Sequence, residues 1–479
     1  MKLTEIIKNI NVREKLGDAD PEITNLCADS KRVGKGALFF CYKGTSHDSH
    51  SDIKEALENG AAAVICERKL DIAITQIIVN DCRAQIAPAA RAFYGFADKK
   101  LKIVGITGTN GKTTTTYLLE SIFKAAGKNT GVIGTLGISY GGKFISPELT
   151  TPDPIYLHSV FADMALSGVE YVFMEVSAHA LYFDKICGLT FEVGIFTNCT
   201  QDHLDFFADI KEYAEYKKLL FKEGRCRRAV INSDDEVGIE LISQIKGAVS
   251  YGLKNPADVF AVDIRERLDG SDFVLNLSDE LYEIKLGLPA LHNIYNAMSA
   301  AACASLLGVK LSTIAKGLNS VKTVAGRLER VASFNGAAVF VDFAHTPDGL
   351  EKSLSSLKKL CKGRLFCLFG CGGNRDRAKR PLMGEVAAKI ADFVIITSDN
   401  PRYEDPFDII SEIEEGVKKY NTKYVTISER DIATEYAIGL LSKNDVLLVA
   451  GKGGEEYQEI AGIKHSYNDN TVIKNIIGE

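Results

Sequence analysis

The chain lacks the features that mark a membrane protein, a disulfide scaffold or a zinc ribbon. No apolar run approaches the roughly 20 residues that a membrane helix requires, and no apolar signal-peptide core follows Met1. The 11 cysteines are scattered without a CxxC pair, and the closest spacing is Cys367-x3-Cys371. This distribution favours reduced thiols. We therefore expect a soluble, cytoplasmic protein without a membrane partner.

An excess of positive charge is also absent. The chain has 57 Lys and Arg against 63 Asp and Glu, a net charge of -6. This balance excludes the basic footprint of a general nucleic-acid binder, so no nucleic-acid partner is expected. What is present is ordinary globular composition, with 46% hydrophobic and 25% charged residues, over a length of 479 residues. That length predicts roughly three domains.

Apolar strands and helical stretches alternate along the chain and divide it into three parts. A charged triplet at 98–100 and a glycine at 326 give the two predicted boundaries. The predicted strands are 37–42, 61–66, 103–107, 171–175, 193–197, 338–341, 365–369, 393–397, 424–427 and 446–450. Strands separated by helices imply right-handed crossovers and largely parallel sheets. The segment 258–287 alternates more and predicts an antiparallel addition.

The pattern therefore predicts an α/β protein of three domains. Residues 1–98 form a mixed α/β domain, residues 99–326 a parallel-sheet domain, and residues 327–479 a doubly wound, Rossmann-like domain.

The sharpest local signal is a glycine-rich turn between a predicted strand and a predicted helix, Gly105 to Thr114. Such a loop turns its backbone N–H groups and the helix N-terminus toward phosphate oxygens. Lys112 would reach the β/γ-phosphates and the Thr113 hydroxyl would bind Mg²⁺. The strict GxxxxGK[ST] motif requires glycine where this chain has Ile106. A structural glycine turn is the alternative.

Two acidic segments follow neighbouring predicted strands and are candidates for the metal. Glu175 ends one strand, and the Asp202 to Asp205 segment, which includes His203, follows the next. Each residue alone is more often structural than metal-binding. Their place after consecutive strands favours the metal, because parallel sheets bind ligands at the carboxyl ends of their strands.

Several motifs in order resemble those of the Mur ligase family, the ATP-dependent ligases of peptidoglycan precursor synthesis. They are Gly108 to Thr114, Met174 to Ser177, Thr197-Asn198 with Asp202 to Asp205, and Val341 to Asp348. The stretches 28–31, 150–153, 370–376, 399–402 and 450–453 are similar to those of the members that add the third residue of the stem peptide. The resemblance covers nearly the whole chain.

The resemblance implies a three-domain ligase in which the first domain binds a UDP substrate, the middle domain binds ATP and the last domain binds an amino acid. The implied ATP contacts are Gly108, Thr109, Asn110, Gly111, Lys112, Thr113, Thr114, Asn293, Arg327 and Asp342. The implied catalytic residues are Lys112, Glu175, His203 and Lys217. The implied metal ligands are Thr113, Glu175, His203 and Lys217, the last as a CO₂-derived carbamate; a solvated lysine is its ordinary alternative.

The resemblance also implies the other substrates. ATP would phosphorylate the D-glutamate carboxylate of UDP-N-acetylmuramoyl-L-alanyl-D-glutamate (the UDP-dipeptide), and an amino group would attack the acyl phosphate. The implied substrate contacts are Ser30, Thr150, Thr151, Ser177, Lys185, Arg375, Asp399, Asn400, Pro401, Arg402, Gly451 and Glu455. The chain departs from the family at Ala178, Phe183, Lys185 and Gly454, where serine, glutamine, arginine and histidine are usual.

Arg402 decides the expected amino acid. A guanidinium binds a carboxylate through two parallel hydrogen bonds. Meso-diaminopimelate has a carboxylate at its distal end and lysine does not, so a buried Arg402 would lack a partner with lysine. We therefore expect meso-diaminopimelate. The alternative for Arg402 is a surface ion pair with Glu404 or Asp405.

Other functions stay open at this point. They are the same ligase acting on L-lysine or another diamino acid, a folylpolyglutamate synthetase-like ligase, a P-loop switch that controls a partner, and a nicotinamide-binding protein built on Gly370-x-Gly372-Gly373. We expect a monomer with an open form that closes about hinges near residues 98 and 326 when ATP and the UDP-dipeptide bind.

Overall fold

The computed structural model describes residues 1–44, 47–146, 149–202 and 206–478. The chain forms two compact units: Met1–Gly105, Lys128–Gly194 and Leu219–Arg227 make the first, and Ile106–Gly127, Ile195–Lys218 and Arg228–Glu479 make the second. The boundaries predicted near residues 98 and 326 divide the chain differently and stay predictions. Within the described ranges, no helix is long and apolar enough to cross a membrane.

The N-terminal segment forms one sheet with helices packed against it. Its elements are α1 (Leu3–Ile7), β1 (Glu14–Leu16), β2 (Asn25–Cys27), β3 (Ala37–Phe40), α2 (Ile53–Glu58), β4 (Ala61–Cys66), β5 (Thr75–Ile78) and α3 (Cys82–Phe93). The strand order is β1-β5-β4-β3-β2, in which β1 is antiparallel to β5 and the other pairs are parallel.

Both faces of this sheet are buried, which explains its uninterrupted apolar strands. Leu38 and Ile65 pack into a core with α1 and α3, whereas Phe39 and Val64 pack into the opposite core with α2. A parallel strand covered on both sides has no polar face to alternate with. The predicted strands at 37–42 and 61–66 are confirmed.

The middle segment follows in chain order. Its elements are β6 (Lys102–Thr107), α4 (Lys112–Ala125), β7 (Thr130–Gly134), β8 (Gly137–Tyr140), β9 (Lys143–Ile145), α5 (Pro154–Leu166), β10 (Tyr171–Glu175), α6 (Ala178–Tyr182), β11 (Val193–Phe196), α7 (Ile210–Lys218), β12 (Ala229–Asn232), α8 (Glu236–Gln244), β13 (Val249–Tyr251), β14 (Val259–Arg267), β15 (Gly270–Leu277), β16 (Glu280–Leu286), α9 (Leu291–Leu306) and α10 (Leu311–Ser320).

The strands of the middle segment combine parallel and antiparallel pairs. In the first unit β10 runs parallel to β7, which continues antiparallel through β8 and β9. In the second unit β12, β13 and β14 are parallel, and β14, β15 and β16 form an antiparallel meander. The antiparallel addition predicted at 258–287 is thus confirmed.

The C-terminal segment is a doubly wound sheet followed by a hairpin. Its elements are β17 (Glu329–Phe334), β18 (Ala337–Asp342), α11 (Pro347–Leu360), β19 (Leu365–Phe369), α12 (Lys379–Ile390), β20 (Phe393–Ile396), α13 (Pro406–Val417), β21 (Lys423–Thr426), α14 (Arg430–Gly439), β22 (Val446–Ala450), β23 (Tyr457–Ile460), β24 (Ile463–Ser466) and α15 (Asp469–Ile477). The strand order is β17-β18-β22-β19-β20-β21, with β17 antiparallel and the rest parallel.

The central strands of the C-terminal sheet face two apolar cores. Leu448 of β22 packs on the side of α11, α12 and α13, whereas Leu447 packs on the side of α14 and α15. The parallel neighbours β22, β19 and β20 end at one edge of the sheet, where the loops predicted to bind the amino acid begin.

Candidate active site

The phosphate loop joins the end of β6 to the start of α4. Gly108 has φ +146°, and Gly111, the N-terminal cap of α4, has φ +88°. A Cβ on Gly108 would overlap Oγ1 of Thr197, and a Cβ on Gly111 would overlap Oδ1 of Asn296. Both positions therefore require glycine.

Gly105 serves packing rather than the loop. A Cβ at this position would lie 2.8 Å from the ring of Phe191. The neighbouring Ile106 is a buried strand residue. The tight turn thus depends on Gly108, which explains how the loop forms without glycine at position 106.

The ammonium of Lys112 lies over the loop. Its Nζ donates to the carbonyls of Gly108 and Thr109 at 2.8 and 2.9 Å. The first N–H groups of a helix have no carbonyl acceptor within the helix, so α4 presents donors next to this positive charge. The combination is suited to a chain of phosphates.

Residues from distant parts of the second unit hold the loop in place. The Asn110 N–H donates to Oδ1 of Asn198 at 2.9 Å, and its Nδ2 donates to Oδ2 of Asp348 at 2.9 Å. Nη2 of Arg327 donates to Oγ1 of Thr113 at 2.9 Å. The structure thus brings Arg327 to the first residues of α4, and its contact with ATP stays a prediction.

The remaining predicted ATP residues lie in defined local contacts. Oγ1 of Thr109 donates to the carbonyl of Thr200 at 3.1 Å, and Thr114 is buried in α4. Nδ2 of Asn293 donates to the carbonyl of Pro289 at 2.7 Å. Adenine recognition by Asn293 stays a prediction.

Asp342 ends β18 and accepts hydrogen bonds from its own surroundings. Its donors are the N–H of Leu328, the N–H of Ala344 and Oγ of Ser353. The carboxylate therefore holds the backbone next to Arg327 in place. A direct contact of Asp342 with ATP stays a prediction.

Glu175 ends β10 with its carboxylate buried. Oε1 accepts from the N–H of Thr135 at 2.8 Å and Oε2 from Oγ1 of Thr135 at 3.1 Å. A Cβ on Gly134 would overlap Oε1, so glycine makes room for the carboxylate. Two donors leave other lone pairs of the carboxylate available for a cation.

Two of the predicted metal ligands, each considered by itself, carry the oxygen atoms that Mg²⁺ prefers. Carboxylate and hydroxyl oxygens such as those of Glu175 and Thr113 are hard ligands, and Mg²⁺ usually keeps waters and phosphate oxygens as well. Accordingly, the described ranges contain no group of three or more His, Cys, Asp or Glu side chains arranged as a complete metal cage. The predicted ligand His203 lies outside the described residues.

Lys217 lies near the end of α7 and its side chain is fully buried. Its Nζ lies 3.0 Å from the ring centroid of Tyr213 and has no hydrogen-bond partner within the described part of the chain. Burial lowers the pKa of its ammonium well below the ordinary value, and the charge of Lys112 adds to this effect. A buried amine that is neutral is a nucleophile, which fits the predicted reaction with CO₂.

The predicted contacts to the peptide end of the UDP-dipeptide cluster around α6. Ser177 is the N-cap of α6, and its N–H donates to Oγ1 of Thr151 at 3.0 Å. The hydroxyls of Thr150 and Thr135 lie 3.1 Å apart. Nζ of Lys185 pairs with Oδ1 of Asp153 at 2.6 Å.

Ser30 lies in a 3₁₀ turn between β2 and β3. Asp29 caps this turn by accepting from the N–H of Lys31 at 3.0 Å. Oγ of Ser30 donates to a carboxylate oxygen of Glu55. Contact of Ser30 with the UDP end stays a prediction.

Three loops meet at the edge of the C-terminal sheet. Lys452, fully buried, donates from Nζ to Oδ1 of Asn400 and to Oε2 of Glu455, both at 2.9 Å. Nδ2 of Asn400 donates to Glu455 at 3.0 Å, and the Asn400 N–H donates to Oδ1 of Asp399 at 2.7 Å. Gly451 is buried with φ +111°. The loop residues predicted from β20 and β22 thus form one polar network.

Arg402 borders this network and pairs with Glu459 rather than with Glu404 or Asp405. Its Nε lies 3.1 Å from Oε2 of Glu459, and its Nη1 donates to the carbonyl of Gly373 at 2.8 Å. A Cβ on Gly372 would lie 2.9 Å from Nη1 of Arg402 and 3.7 Å from Cγ of Arg375. The two predicted arginines therefore converge at Gly372, and Arg375 is exposed.

Sequence reasoning did not assign Lys452, Glu459 or Thr135 to the site. The lysine stands between two glycines, Gly451 and Gly453, and this pattern was the signal that could have identified it. Glu459 and Thr135 carry no such local signal, because the fold brings them to Arg402 and Glu175.

Together the fold and the site define a P-loop nucleotide-binding protein of the α/β class with a charged second site at the edge of a Rossmann-like sheet. Family models match three parts of the chain: Mur ligase family, catalytic domain at residues 22–95, Mur ligase middle domain at 106–304, and Mur ligase, glutamate ligase domain at 326–453. The chain belongs to the Mur ligase family. The resemblance predicted from the sequence is confirmed.

Named relatives extend over the full length. The chain is 41% identical over 482 residues to the UDP-N-acetylmuramoyl-L-alanyl-D-glutamate–2,6-diaminopimelate ligase of Caldanaerobacter subterraneus subsp. tengcongensis, with 100% of this chain and 99% of the relative covered. It is 42% identical over 469 residues to the ligase of the same name from Geobacillus kaustophilus, with 96% of each covered.

Solved structures agree. A structure of UDP-N-acetylmuramoyl-L-alanyl-D-glutamate–2,6-diaminopimelate ligase is 30% identical with a TM-score of 0.71, covering 100% of this chain and 99% of that one. A folylpolyglutamate synthase of Mycobacterium tuberculosis complexed with ADP is 20% identical, with a TM-score of 0.64 and coverage of 77% and 91%. The second likeness is one of fold.

Proposed function

We propose that the protein is an ATP-dependent ligase that joins meso-diaminopimelate to the UDP-dipeptide and releases ADP and phosphate in peptidoglycan precursor synthesis. Relatives at about 40% identity over the whole length that carry this name support the reaction. The observation that carries the choice of amino acid is the Arg402 guanidinium beside the network of Asn400, Lys452 and Glu455.

The reaction converts a poor electrophile into a good one. The γ-phosphoryl group of ATP passes to the side-chain carboxylate of D-glutamate, giving ADP and an acyl phosphate. The amino group of diaminopimelate attacks the acyl carbon, the amide bond forms, a proton leaves the amine, and inorganic phosphate departs. Catalysis is then mostly positioning and charge neutralisation.

The phosphate loop supplies both contributions at the ATP end. Lys112 and the N-terminus of α4 place positive charge at the phosphates. Arg327 adds a further positive group there, because its guanidinium donates to the Thr113 hydroxyl in the first turn of α4. Thr113 and Glu175, with His203, would hold Mg²⁺. The metal supplies Lewis-acid neutralisation of the phosphoryl oxygens when bound.

Lys217 supplies a further carboxylate in this proposal. Its neutral amine adds to CO₂, forming an N–C bond and releasing one proton, and becomes an anionic carbamate. The buried Nζ, which has no hydrogen-bond partner among the described residues, supports this modification. An ammonium at this place is repelled by the charge of Lys112, whereas a carbamate is an anion and can bind a cation.

Arg402 and Glu455 have complementary charges for the distal end of diaminopimelate, which carries one carboxylate and one ammonium. Arg402 would bind the carboxylate through its outer guanidinium edge, since Glu459 occupies Nε. L-Lysine lacks that carboxylate and would leave the positive edge without a partner.

The proposal is tested by measuring ADP formation while each substrate is omitted in turn. Purified enzyme should form ADP rapidly only when ATP, the UDP-dipeptide and meso-diaminopimelate are all present. ADP formation that is independent of both the UDP-dipeptide and the amino acid would indicate a P-loop switch and would contradict the proposal. Product formation with glutamate and a folate would favour the folylpolyglutamate synthetase-like alternative.

We also infer that the enzyme acts as a monomer in the cytoplasm. The scattered cysteines, which are all free thiols, are compatible with a reducing compartment. Small-molecule substrates in place of a macromolecular partner support a monomer. Sedimentation of the purified protein tests the oligomeric state.

A further inference from the structure

An arginine outside the predicted site is held between two aromatic rings. Arg83 lies in the first turn of α3, and its guanidinium carbon is 5.0 Å from the ring centroid of Tyr42 and 4.8 Å from that of Phe183. Tyr42 follows β3, and Phe183 is the C-terminal cap of α6. Three separate parts of the first unit thus meet at one guanidinium.

The charge of Arg83 has no acidic partner. Within the described ranges, no carboxylate lies within ion-pair distance of its guanidinium and no acceptor takes its hydrogen bonds. Two other arginines of the same segment are paired, Arg68 with Asp48 at 3.0 Å and Arg91 with Asp98 at 2.7 Å. The two rings contact the guanidinium without accepting from it as a carboxylate would, so its five N–H donors stay available to a ligand.

The position of Arg83 connects it to the predicted UDP-dipeptide contacts. Phe183 ends the short helix that begins at Ser177, and Lys185 follows two residues later. The aromatic ring at this position packs against a guanidinium from α3, and this contact places Arg83 beside the segment that carries Ser177 and Lys185.

We propose that Arg83 is a binding residue for an oxyanion of the UDP-dipeptide, either its diphosphate or a carboxylate of its peptide. A guanidinium held by two rings is oriented before the ligand arrives, and its planar edge matches phosphate or carboxylate oxygens. The aromatic faces retain the positive charge without neutralising it. This inference rests on the proposed function.

Isothermal titration calorimetry tests the inference with the full-length protein. Arg83→Ala should weaken binding of the UDP-dipeptide at least about tenfold, the equivalent of one charge-assisted hydrogen bond, while KM for ATP stays unchanged. Arg83→Lys should recover only part of the affinity, because an ammonium lacks the planar edge. Arg13→Ala, an exposed arginine of the same segment, is the matched control and should bind as wild type.

A second ligand separates the two sources of the oxyanion. If Arg83 binds the diphosphate, Arg83→Ala should weaken UDP-N-acetylmuramic acid by the same factor as the UDP-dipeptide. If it binds a peptide carboxylate, only the UDP-dipeptide should bind more weakly. Phe183→Leu, which removes one ring and keeps the arginine, should weaken the same ligand by a smaller factor.

Failure of the inference about Arg83 and failure of the proposed function give different results. Arg83→Ala that melts like wild type and binds the UDP-dipeptide with wild-type affinity overturns the inference and leaves the proposed function intact. Wild-type enzyme that does not bind the UDP-dipeptide overturns both.

Discussion

At the scale of single residues, the surroundings of Lys217 disfavour the charged form of its side chain. Its side chain is fully buried, its Nζ lacks a hydrogen-bond acceptor within the described residues, and burial lowers its pKa. A lowered pKa increases the neutral fraction of the amine, which is the form that carbamate formation requires. Protonation on acidification removes the nucleophile, so activity should fall as the pH is lowered.

Replacing Lys217 should therefore abolish most of the ligase activity. We expect Lys217→Ala to lower the steady-state rate by about 100-fold or more, the range found when one electrostatic group is removed from an active site. Added formate or acetate should restore part of the rate by placing a carboxylate in the vacated space. Lys218→Ala is the control, because it removes the ion pairs of the neighbouring lysine with Glu215 and Glu240 and leaves Lys217 in place. Wild-type rates for Lys217→Ala without added carboxylate would contradict the carbamate proposal.

Lys452 joins two loops of the proposed amino-acid site by donating to Asn400 and Glu455. Lys452→Met should raise KM for diaminopimelate roughly tenfold, because two charge-assisted hydrogen bonds are lost, while KM for ATP stays unchanged. Lys464→Met is the matched control, since this exposed lysine contacts the same ring, that of Tyr457. An unchanged KM for diaminopimelate would exclude this role.

A double variant separates stability from binding at the same position. Lys452→Met alone leaves Glu455 without its buried cation and should lower the melting temperature. Adding Glu455→Gln removes the unpaired charge and should restore the melting temperature, but not the KM for diaminopimelate. Restoration of both would mean that Lys452 has a purely structural role.

The chemistry of single residues was predictable where the residues that act together are neighbours in the sequence. The loop from Gly108 to Thr113 combines glycine, lysine and threonine in one stretch, and Arg402 follows a predicted strand. Lys217 differs, because nothing beside it in the sequence indicates burial. Glu459 reaches Arg402 across 57 positions of sequence, so only the folded chain shows the pair.

At the scale of elements, many of the buried parallel strands were predicted, whereas β17 and the C-terminal hairpin were not. The run at 446–450 is continuous and apolar because both faces of β22 are covered. By contrast, β17 at Glu329–Phe334 is an edge strand with half-exposed positions, and the predicted five-strand set omitted it. The hairpin of β23 and β24 is likewise mostly exposed and has no apolar period.

That hairpin determines the conformation of Arg402. The residue has φ +53°, a backbone region that costs an arginine about 1 kcal/mol or more. The Arg402 N–H donates to the carbonyl of Glu459 at 3.0 Å, and its carbonyl accepts from the N–H of Ala461 at 2.6 Å. Main-chain bonds to the hairpin thus stabilise a strained residue at the proposed site, an arrangement that no local sequence pattern indicates.

The helices α14 and α15 are joined by a fully buried ion pair. Arg430 donates from Nε and Nη2 to the carboxylate of Asp469, both at 2.8 Å, and from Nη2 to the carbonyl of Ala450. Asp469→Asn leaves a buried guanidinium uncompensated, which costs about 3 to 5 kcal/mol. The melting temperature should fall by roughly 6 °C or more. Asp431→Asn, an exposed neighbour on α14, should melt as wild type, and an equal melting temperature for Asp469→Asn would refute the assignment.

At the scale of the whole molecule, ligation requires ATP, the UDP-dipeptide and the amino acid to meet. We expect the radius of gyration from small-angle X-ray scattering to decrease when a non-hydrolysable ATP analogue and the UDP-dipeptide are added together. Lys112→Met, which removes the ammonium at the phosphate loop, should stay at the apo value. A radius that is unchanged in the wild type would argue against closure about residues 98 and 326.

Family and reaction were predictable from the sequence because the motifs occur in order along almost the whole chain. The domain limits near residues 98 and 326 stay predictions. The two compact units of the structure both draw on the segment between residues 99 and 326.

The most direct test of the account is a competition for the third residue of the peptide. Purified enzyme receives ATP, Mg²⁺, the UDP-dipeptide and equal concentrations of meso-diaminopimelate and L-lysine, and mass spectrometry identifies the product. We predict a UDP-tripeptide that carries diaminopimelate. A product that carries lysine would contradict the role assigned to Arg402 and with it the proposed specificity.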